Sequence, residues 1–468
     1  MKPLLRKSNF ERTTVEVKPM AHQRASLAHS DKSPIVYDAS DAGTGKTAVR
    51  VWSFAKRRKK NGKKALILAP RTLLRSAWAN DFKKFAPNLT VSIATAANRE
   101  KAFAVDADAY ITNHDAVKWL AKKPKHWFAQ FDELIIDEPT AFKHHASQRS
   151  RAAYKIREHF KYRRCMSATP NSNGICDIWH QVMLLDDGKR LGSSFYGFRN
   201  TVCVPKQVGR DRNAIEWTDK AGAEEAVFGL LSDIVIRHRI EDCVDIPPTH
   251  HYQIEYDLVP AQRKVYDQME MAQLLVMKQG TAISAINAAA VATKLLQICS
   301  GAVYDNDSKY HLIDTGRYEM ILDLVEARKH SLVFFNWKHQ KDQLTKLAEA
   351  RGITFCTLDG SAGDEERSAM VAAYQAGAYQ VMFAHPRSAA HGLTLTKGTA
   401  TIWSGPIYDL ELFEQGNKRQ ARIGQKEKTE VIMILAKDTI EEGVYDLLMG
   451  KNARMKTLLD LFESLAKK

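Results

Sequence analysis

A glycine-bearing turn between an apolar strand and a helix places the tightest constraint on this chain. Ile35-Val36-Tyr37 reads as a strand and Ala48 to Arg58 as a helix, and between them lies Ala39-Ser40-Asp41-Ala42-Gly43-Thr44-Gly45-Lys46-Thr47. Glycines at such a junction let the backbone turn its N–H groups inward, and the helix start adds a partial positive charge, so the turn from Gly43 through Thr44 and Gly45 suits a phosphate group. Lys46 would reach the β- and γ-phosphate oxygens, and the Thr47 hydroxyl would serve Mg²⁺. The strict GxxxxGK(S/T) pattern has glycine where Ser40 stands. GxGKT by itself leaves an ordinary glycine turn as the alternative, so the rest of the chain has to decide.

At 468 residues there is length for two domains, each with its own core. Lys and Arg number 69 against 54 Asp and Glu, a formal net charge of +15, which points first to a polyanionic partner and less to a membrane surface. No stretch reaches the roughly 18 apolar residues of a membrane span, and the N-terminus lacks an apolar signal core, so a cytoplasmic protein without membrane attachment is expected. The six cysteines form no CxxC pair and no Cys/His zinc spacing, which predicts reduced thiols and no structural metal.

Between residues 18 and 170, short Val/Ile/Leu-rich runs at 35–38, 65–69, 91–94, 109–112, 134–136 and 165–168 alternate with helical stretches, the rhythm of a parallel sheet covered by helices. Residues 186–230 are polar, mixed in charge and without period, and read as an insertion. Pro247-Pro248 marks a boundary, since consecutive prolines stop a helix. Residues 261–299 favour two or three helices, after which strand runs return at 332–335, 354–358, 380–384, 399–403 and 431–435. The expected fold is α/β, with one lobe at 1–245 carrying the insertion and a second at 246–468 carrying the helical segment.

Leu134-Ile135-Ile136 ends in Asp137-Glu138, placing two carboxylates at the C-terminal edge of a buried strand, where ligands bind in α/β sheets. Phosphoryl transfer from ATP needs one carboxylate for Mg²⁺ and one to orient or deprotonate the attacking water, roles that Asp137 and Glu138 fit. An isolated Asp-Glu would more simply be a solvated strand end. Ser167-Ala168-Thr169-Pro170 follows another strand run. Arg419 and Arg422, three apart after Gln415, can share a helix face and reach one anion together, although a basic solvated helix is the plainer reading of that composition.

Taken in order, Asp38 to Thr47, Ile67 to Leu74 with Trp78, Ile135 to Glu138, Ser167 to Pro170, Leu358 to Ser361 with Arg367, and 415–425 resemble the motifs of superfamily two helicases, and more narrowly the Swi/Snf-type DNA-dependent ATPases. Ile236-Arg237-His238-Arg239 before Ile246-Pro247-Pro248 is similar to the segment joining the lobes in that branch, and 385–393 with Trp403 to Gln415 looks most like its compact bacterial and phage members. The resemblance runs from about residue 18 to 450. It implies two RecA-like lobes, ATP with Mg²⁺ in the cleft between them, and DNA across their top, in a bacterial cell or a phage-infected host.

By that resemblance Gln23 reads adenine, Lys46 and Thr47 take phosphate and Mg²⁺, Asp137 shares the metal, Glu138 is the catalytic base, and Arg419 and Arg422 are arginine fingers. Gly392 and Gln415 join the nucleotide-contacting set. Arg71, Thr72, Asn113, His114, Asn336, Trp337, Gly360, Ser361 and Thr394 would face DNA, mostly its phosphates, and so read backbone rather than sequence. Two departures stand out: Pro139-Thr140 follows Asp-Glu where the family has a small residue and histidine, with Thr140 still able to donate toward Ser167–Thr169, and Lys418 replaces an acidic residue before the first finger. The implied activity is that of a monomeric ATP-driven motor translocating on, remodelling or branch-migrating duplex or branched DNA. A strand-separating helicase is the related alternative, and a non-catalytic DNA-binding or inhibitor protein on an ATPase-like scaffold is the alternative from another class. The basic run Lys56-Arg57-Arg58-Lys59-Lys60 reads either as a helix end facing water or as a DNA contact.

Overall fold

A computed structural model describes residues 17–171, 174–207, 215–278, 285–305, 307–389 and 393–450. Six strands of the first lobe, β1 (Ile35–Asp38), β2 (Lys64–Ala69), β3 (Val91–Ala94), β4 (Ala109–Asn113), β5 (Phe131–Asp137) and β6 (Tyr162–Met166), fall on the six apolar runs. β7 (Cys203–Gln207) and β8 (Ile215–Asp219) form a separate antiparallel hairpin, and β9 (Val235–Ile236) completes a seven-stranded parallel sheet in the order β3-β4-β2-β5-β6-β1-β9. Helices on both faces explain why these strands are apolar throughout. Leu66 and Leu68 pack into one core layer with Leu134 and Ile136, while Ala65 and Ile67 pack into the other with Phe54, Trp78 and Ile135.

The second lobe holds β10 (Thr249–Tyr256), the small hairpin β11 (Ala302–Tyr304) and β12 (Tyr310–Leu312), then β13 (Ser331–Phe334), β14 (Phe355–Leu358), β15 (Val381–Ala384), β16 (Ala400–Trp403) and β17 (Thr429–Ala436). Six of these make a second all-parallel sheet, β10-β17-β16-β13-β15-β14. The expected two-lobed parallel α/β architecture is therefore present. β10 escapes the sequence reading because Thr249-His250-His251-Tyr252-Gln253-Ile254-Glu255-Tyr256 is a half-polar edge strand with no apolar run.

The described residues of the 186–230 segment carry secondary structure of their own. A helix (Phe195–Val202), the β7–β8 hairpin and a helix (Ala223–Leu230) close over Trp179, Leu191, Phe198, Val227 and Leu231. The helical segment consists of Pro260–Lys278 and Ala285–Cys299. The basic run is largely neutralised: Lys56 pairs with Asp31, Arg57 with Glu133 and Arg58 with Asp108. Among the described residues no helix is long and apolar enough to cross a membrane, all six cysteines are free thiols, and no cluster of three or more His, Cys, Asp or Glu could hold a metal.

Candidate nucleotide site between the lobes

β1 ends at Asp38, and the loop that follows turns at Gly43 and Gly45 with φ of +91° and +80°, values that exclude most other residues. A Cβ on Gly45 would also run into the Gln23 side-chain amide. That amide donates to the Thr44 carbonyl at 3.2 Å, and the His22 ring bonds the same carbonyl at 2.8 Å, so the first helix braces the loop. Lys46 Nζ donates to the loop's own carbonyls, Ser40 at 2.6 Å and Asp41 at 3.0 Å, and burial lowers its pKa against the opposing pull of Asp38, Glu138 and Asp137. Ser40 has a use that glycine could not fill. Its Oγ accepts from the His238 N–H at 3.1 Å, while its N–H donates to Asp38 Oδ1 at 3.2 Å. Asp38 in turn pairs with the fully buried Arg50 at 3.5 Å.

The two carboxylates at the end of β5 are held differently. Trp78 Nε1 donates to Asp137 Oδ2 at 2.9 Å, and burial followed by the neighbouring Glu138 charge pushes the Asp137 carboxyl up to about 7. Glu138 has φ +51°, a left-handed conformation made harder by the proline that follows it. Its N–H donates to the Met166 carbonyl at 2.9 Å and Ser167 Oγ donates to its Oε2 at 2.6 Å. Thr140 does not reach Ser167–Thr169 as its position allowed. It sits in a short turn after Pro139, where its carbonyl accepts from the Lys143 N–H at 3.1 Å, and Ser167 bonds Glu138 directly.

Arg419 and Arg422 come from the second lobe. Arg419 is 2% exposed, with Nε donating to the Gln415 carbonyl at 2.6 Å and Nη1 to the Leu393 carbonyl at 3.3 Å. Arg422 Nε donates to the Lys418 carbonyl at 2.8 Å and Nη1 to Thr394 Oγ1 at 3.5 Å, so the residue after Asn417 supports the second finger through its backbone. Arg422 Cγ would stand 3.4 Å from a Cβ on Gly43, so the two lobes touch at the phosphate loop itself. Among the described residues neither arginine has a carboxylate partner. Burial lowers both, Arg422 to about 10, and for Arg419 the neighbouring Arg422 adds to the effect. Arg419 is buried and Arg422 half-buried, and the Glu138 charge only partly offsets the cost of desolvating them, so an arriving anion is favoured at this pair.

Gln23, Gly43, Gly45, Lys46, Thr47, Asp137, Glu138, Thr394, Gln415, Arg419 and Arg422 line one cavity of about 440 Å³. Gly392 lies outside the described residues. The sequence reading missed another part of the lining, Met20, Trp52, Asp81 and Phe85. Trp52 and Phe85 meet edge to face at 4.8 Å, and burial raises the Asp81 carboxyl to about 6. The only signal was Trp52, about 1.7 turns along the helix from Lys46.

Most residues expected to face DNA sit at the C-terminal ends of strands. Arg71 and Thr72 follow β2, and Asn113 closes the adjacent β4, in register with Ala69. Asn336 and Trp337 follow β13, and Gly360 and Ser361 follow β14, the last pair exposed. Asn336 Nδ2 donates to the Pro406 carbonyl at 3.2 Å, and Trp337 stacks on His339. His114 directly follows β4, with its ring bonding the Asp137 carbonyl at 2.7 Å, and Thr394 lies in the cleft beside Arg422.

A two-lobed parallel α/β scaffold with a phosphate loop, a strand-end carboxylate pair and opposed arginines defines the class of cleft nucleotide hydrolases. Residues 29–301 match the SNF2-related domain and residues 316–424 the helicase conserved C-terminal domain. The chain belongs to the SNF2-related family and is a helicase-like ATPase. It is 28% identical over 425 residues to putative protein p41 of Acyrthosiphon pisum secondary endosymbiont phage 1, covering 85% of this chain and 88% of that one. It is 23% identical to an uncharacterized ATP-dependent helicase of Mycoplasma genitalium (92% of this chain) and 24% identical to the putative ATP-dependent helicase/translocase YwqA of Bacillus subtilis (88% of this chain). The chain spans only 41% and 45% of those two longer proteins. Among solved structures, the Sulfolobus solfataricus SWI2/SNF2 ATPase core in complex with dsDNA aligns over 94% of this chain and 92% of its own, with 18% identity and a TM-score of 0.44.

Proposed function

We propose that this ATPase is stimulated by DNA, duplex or branched in preference to single strands, and acts as a monomer that translocates along DNA or remodels it. The observation that carries the reading is the pair Arg419 and Arg422, which among the described residues has no salt-bridged carboxylate and lines the same cavity as Lys46 and Glu138. Lys46, bonded to its own loop carbonyls, can exchange those bonds for phosphate oxygens. Glu138, fixed by Ser167, is the group to orient and deprotonate the attacking water, and the arginine pair stabilises the charge that builds on the transferred phosphoryl group. Thr47 and Asp137 both line the cavity, and a hydroxyl with a carboxylate that keeps one oxygen clear of Trp78 is a donor set that fits a hard cation retaining most of its waters; Mg²⁺ held there would neutralise phosphate charge.

The net charge of +15 and the strand-end residues Arg71, Thr72, Gly360 and Ser361 support a phosphate-reading DNA surface. The helicase/translocase name of the Bacillus relative agrees with a motor. The test is ATP hydrolysis with and without duplex DNA. Lys46→Ala or Glu138→Gln should lower the DNA-stimulated turnover by about 100-fold or more while leaving a measurable residual rate, and full turnover in either overturns the reading. Separation of a long forked duplex would replace translocation with unwinding, and tight DNA binding without hydrolysis would reduce the protein to a binding scaffold.

A further inference from the structure

The segment that carries the chain from one lobe to the other runs along the phosphate loop before it leaves. β9 pairs with β1, so the Ala39 N–H donates to the Ile236 carbonyl at 2.8 Å, and beyond the strand the Asp41 N–H donates to the His238 carbonyl at 2.9 Å. Two further bonds run the other way, from the His238 N–H to Ser40 Oγ and from the Ile240 N–H to Asp41 Oδ2, both 3.1 Å. The His238 ring lies 3.0 Å from Ser26 Oγ on the helix that braces Thr44. Ile240 Cδ1 covers Gly43 beside Arg422, 3.6 Å from where a Cβ would stand. After Cys243 the chain passes through 244–248 without regular structure and enters β10, the edge of the second sheet. A rotation of the second lobe must be absorbed within this short stretch or delivered to the bonds on Ser40 and Asp41.

We propose that Asp41 and Ser40 are positioning residues that tie the phosphate loop to the interlobe linker, so that closure of the lobes on DNA sets the loop for hydrolysis. The proposal rests on the DNA-stimulated reading above. Because such coupling is reciprocal, nucleotide in the loop also biases the lobes toward closure. Ser40 is the position at which the strict loop pattern has glycine, and a glycine there would remove the side-chain bond from the His238 N–H.

The experiment compares wild type, an insertion of Gly-Ser-Gly after Asp245, Asp41→Ala, the two combined, and Asp41→Asn. The insertion slackens the linker without touching the cavity: DNA-free turnover should stay within about twofold while the DNA-stimulation ratio falls about tenfold, inside the usual range of coupling factors. Asp41→Ala should lower that ratio to a similar degree, the combination should fall no further than either change alone, and Asp41→Asn, which keeps an oxygen for the Ile240 N–H, should restore most of it. A wild-type ratio in the insertion variant, or losses that multiply, overturns the tie. A fluorophore pair, one on each lobe, reads the same link without DNA. An ATP analogue should change energy transfer in wild type and do so weakly in Asp41→Ala, and an undiminished change in Asp41→Ala overturns the tie. If the wild type hydrolyses ATP without any response to DNA, the functional reading fails while the energy-transfer measurement still decides the linkage.

Discussion

Removing the Ser167 hydroxyl tests the proposed site where it is most exposed to error. Ser167 is fully buried and donates to Glu138 Oε2 at 2.6 Å, while Glu138 sits in a left-handed backbone conformation ahead of Pro139. A residue held in a sparsely populated region persists only when its surroundings hold it there. A hydrogen bond to a charged group contributes roughly 1.5–3 kcal/mol. If that contribution is felt in the transition state, Ser167→Ala lowers kcat by about 10- to 150-fold, at about 1.4 kcal/mol per decade. KM for ATP should change little, because Lys46 and the loop glycines are untouched. The assay is steady-state hydrolysis at saturating duplex DNA, repeated in a Glu138→Gln background, where the serine change should cost less than about threefold because its partner is already disabled. A folded Ser167→Ala protein with wild-type kcat refutes the claim that this hydroxyl positions the base. An equal loss in both backgrounds shows that Ser167 acts through something other than Glu138.

Three other outcomes are expected. Arg422→Ala should reduce kcat by about 10³-fold or more, as loss of an arginine finger does, with ATP binding largely retained when measured by fluorescence titration. Arg50→Met strands Asp38 in the core beneath the loop and should destabilise the first lobe by about 3–5 kcal/mol in urea unfolding, and adding Asp38→Asn should recover much of the loss. His339 is fully buried between Ser300 and Tyr304, and burial lowers its pKa to about 4. The folded state therefore binds fewer protons than the unfolded state between about pH 6.5 and 4, and the stability tied to neutral His339 is lost as pH falls through that window, by about 2 kcal/mol at pH 5. The stability gap between wild type and His339→Gln should narrow by that amount from pH 7.5 to 5, measured by denaturant unfolding at each pH.

The parallel sheets were legible because strands buried on both faces are apolar without interruption, as in Ala65-Leu66-Ile67-Leu68-Ala69. β10 and the β7–β8 hairpin were not, because an edge strand and an exposed hairpin carry polar residues that mimic loop composition. Around the cavity, residues tied to backbone geometry or charge could be read in advance: the loop glycines, Lys46, the strand-end carboxylates and the paired arginines. Trp78 was visible as a motif residue, but its bond to Asp137 depends on packing between segments far apart in sequence. Asp81 and Phe85 lie on a helix whose sequence carries no ligand signature, and only its packing beside Trp52 turns them inward. Local pattern likewise could not show that the basic run at 56–58 would be used up by Asp31, Glu133 and Asp108.

Gln23 rests against Gly45 and donates to Thr44, so the side chain expected to read the base and the backbone expected to grip the phosphates form one piece. A purine that mispairs with Gln23 would disturb the grip on its own triphosphate. Selectivity for the base would then appear in turnover as well as in affinity, and this chain would sort nucleotides by how fast it cleaves them as much as by how tightly it holds them.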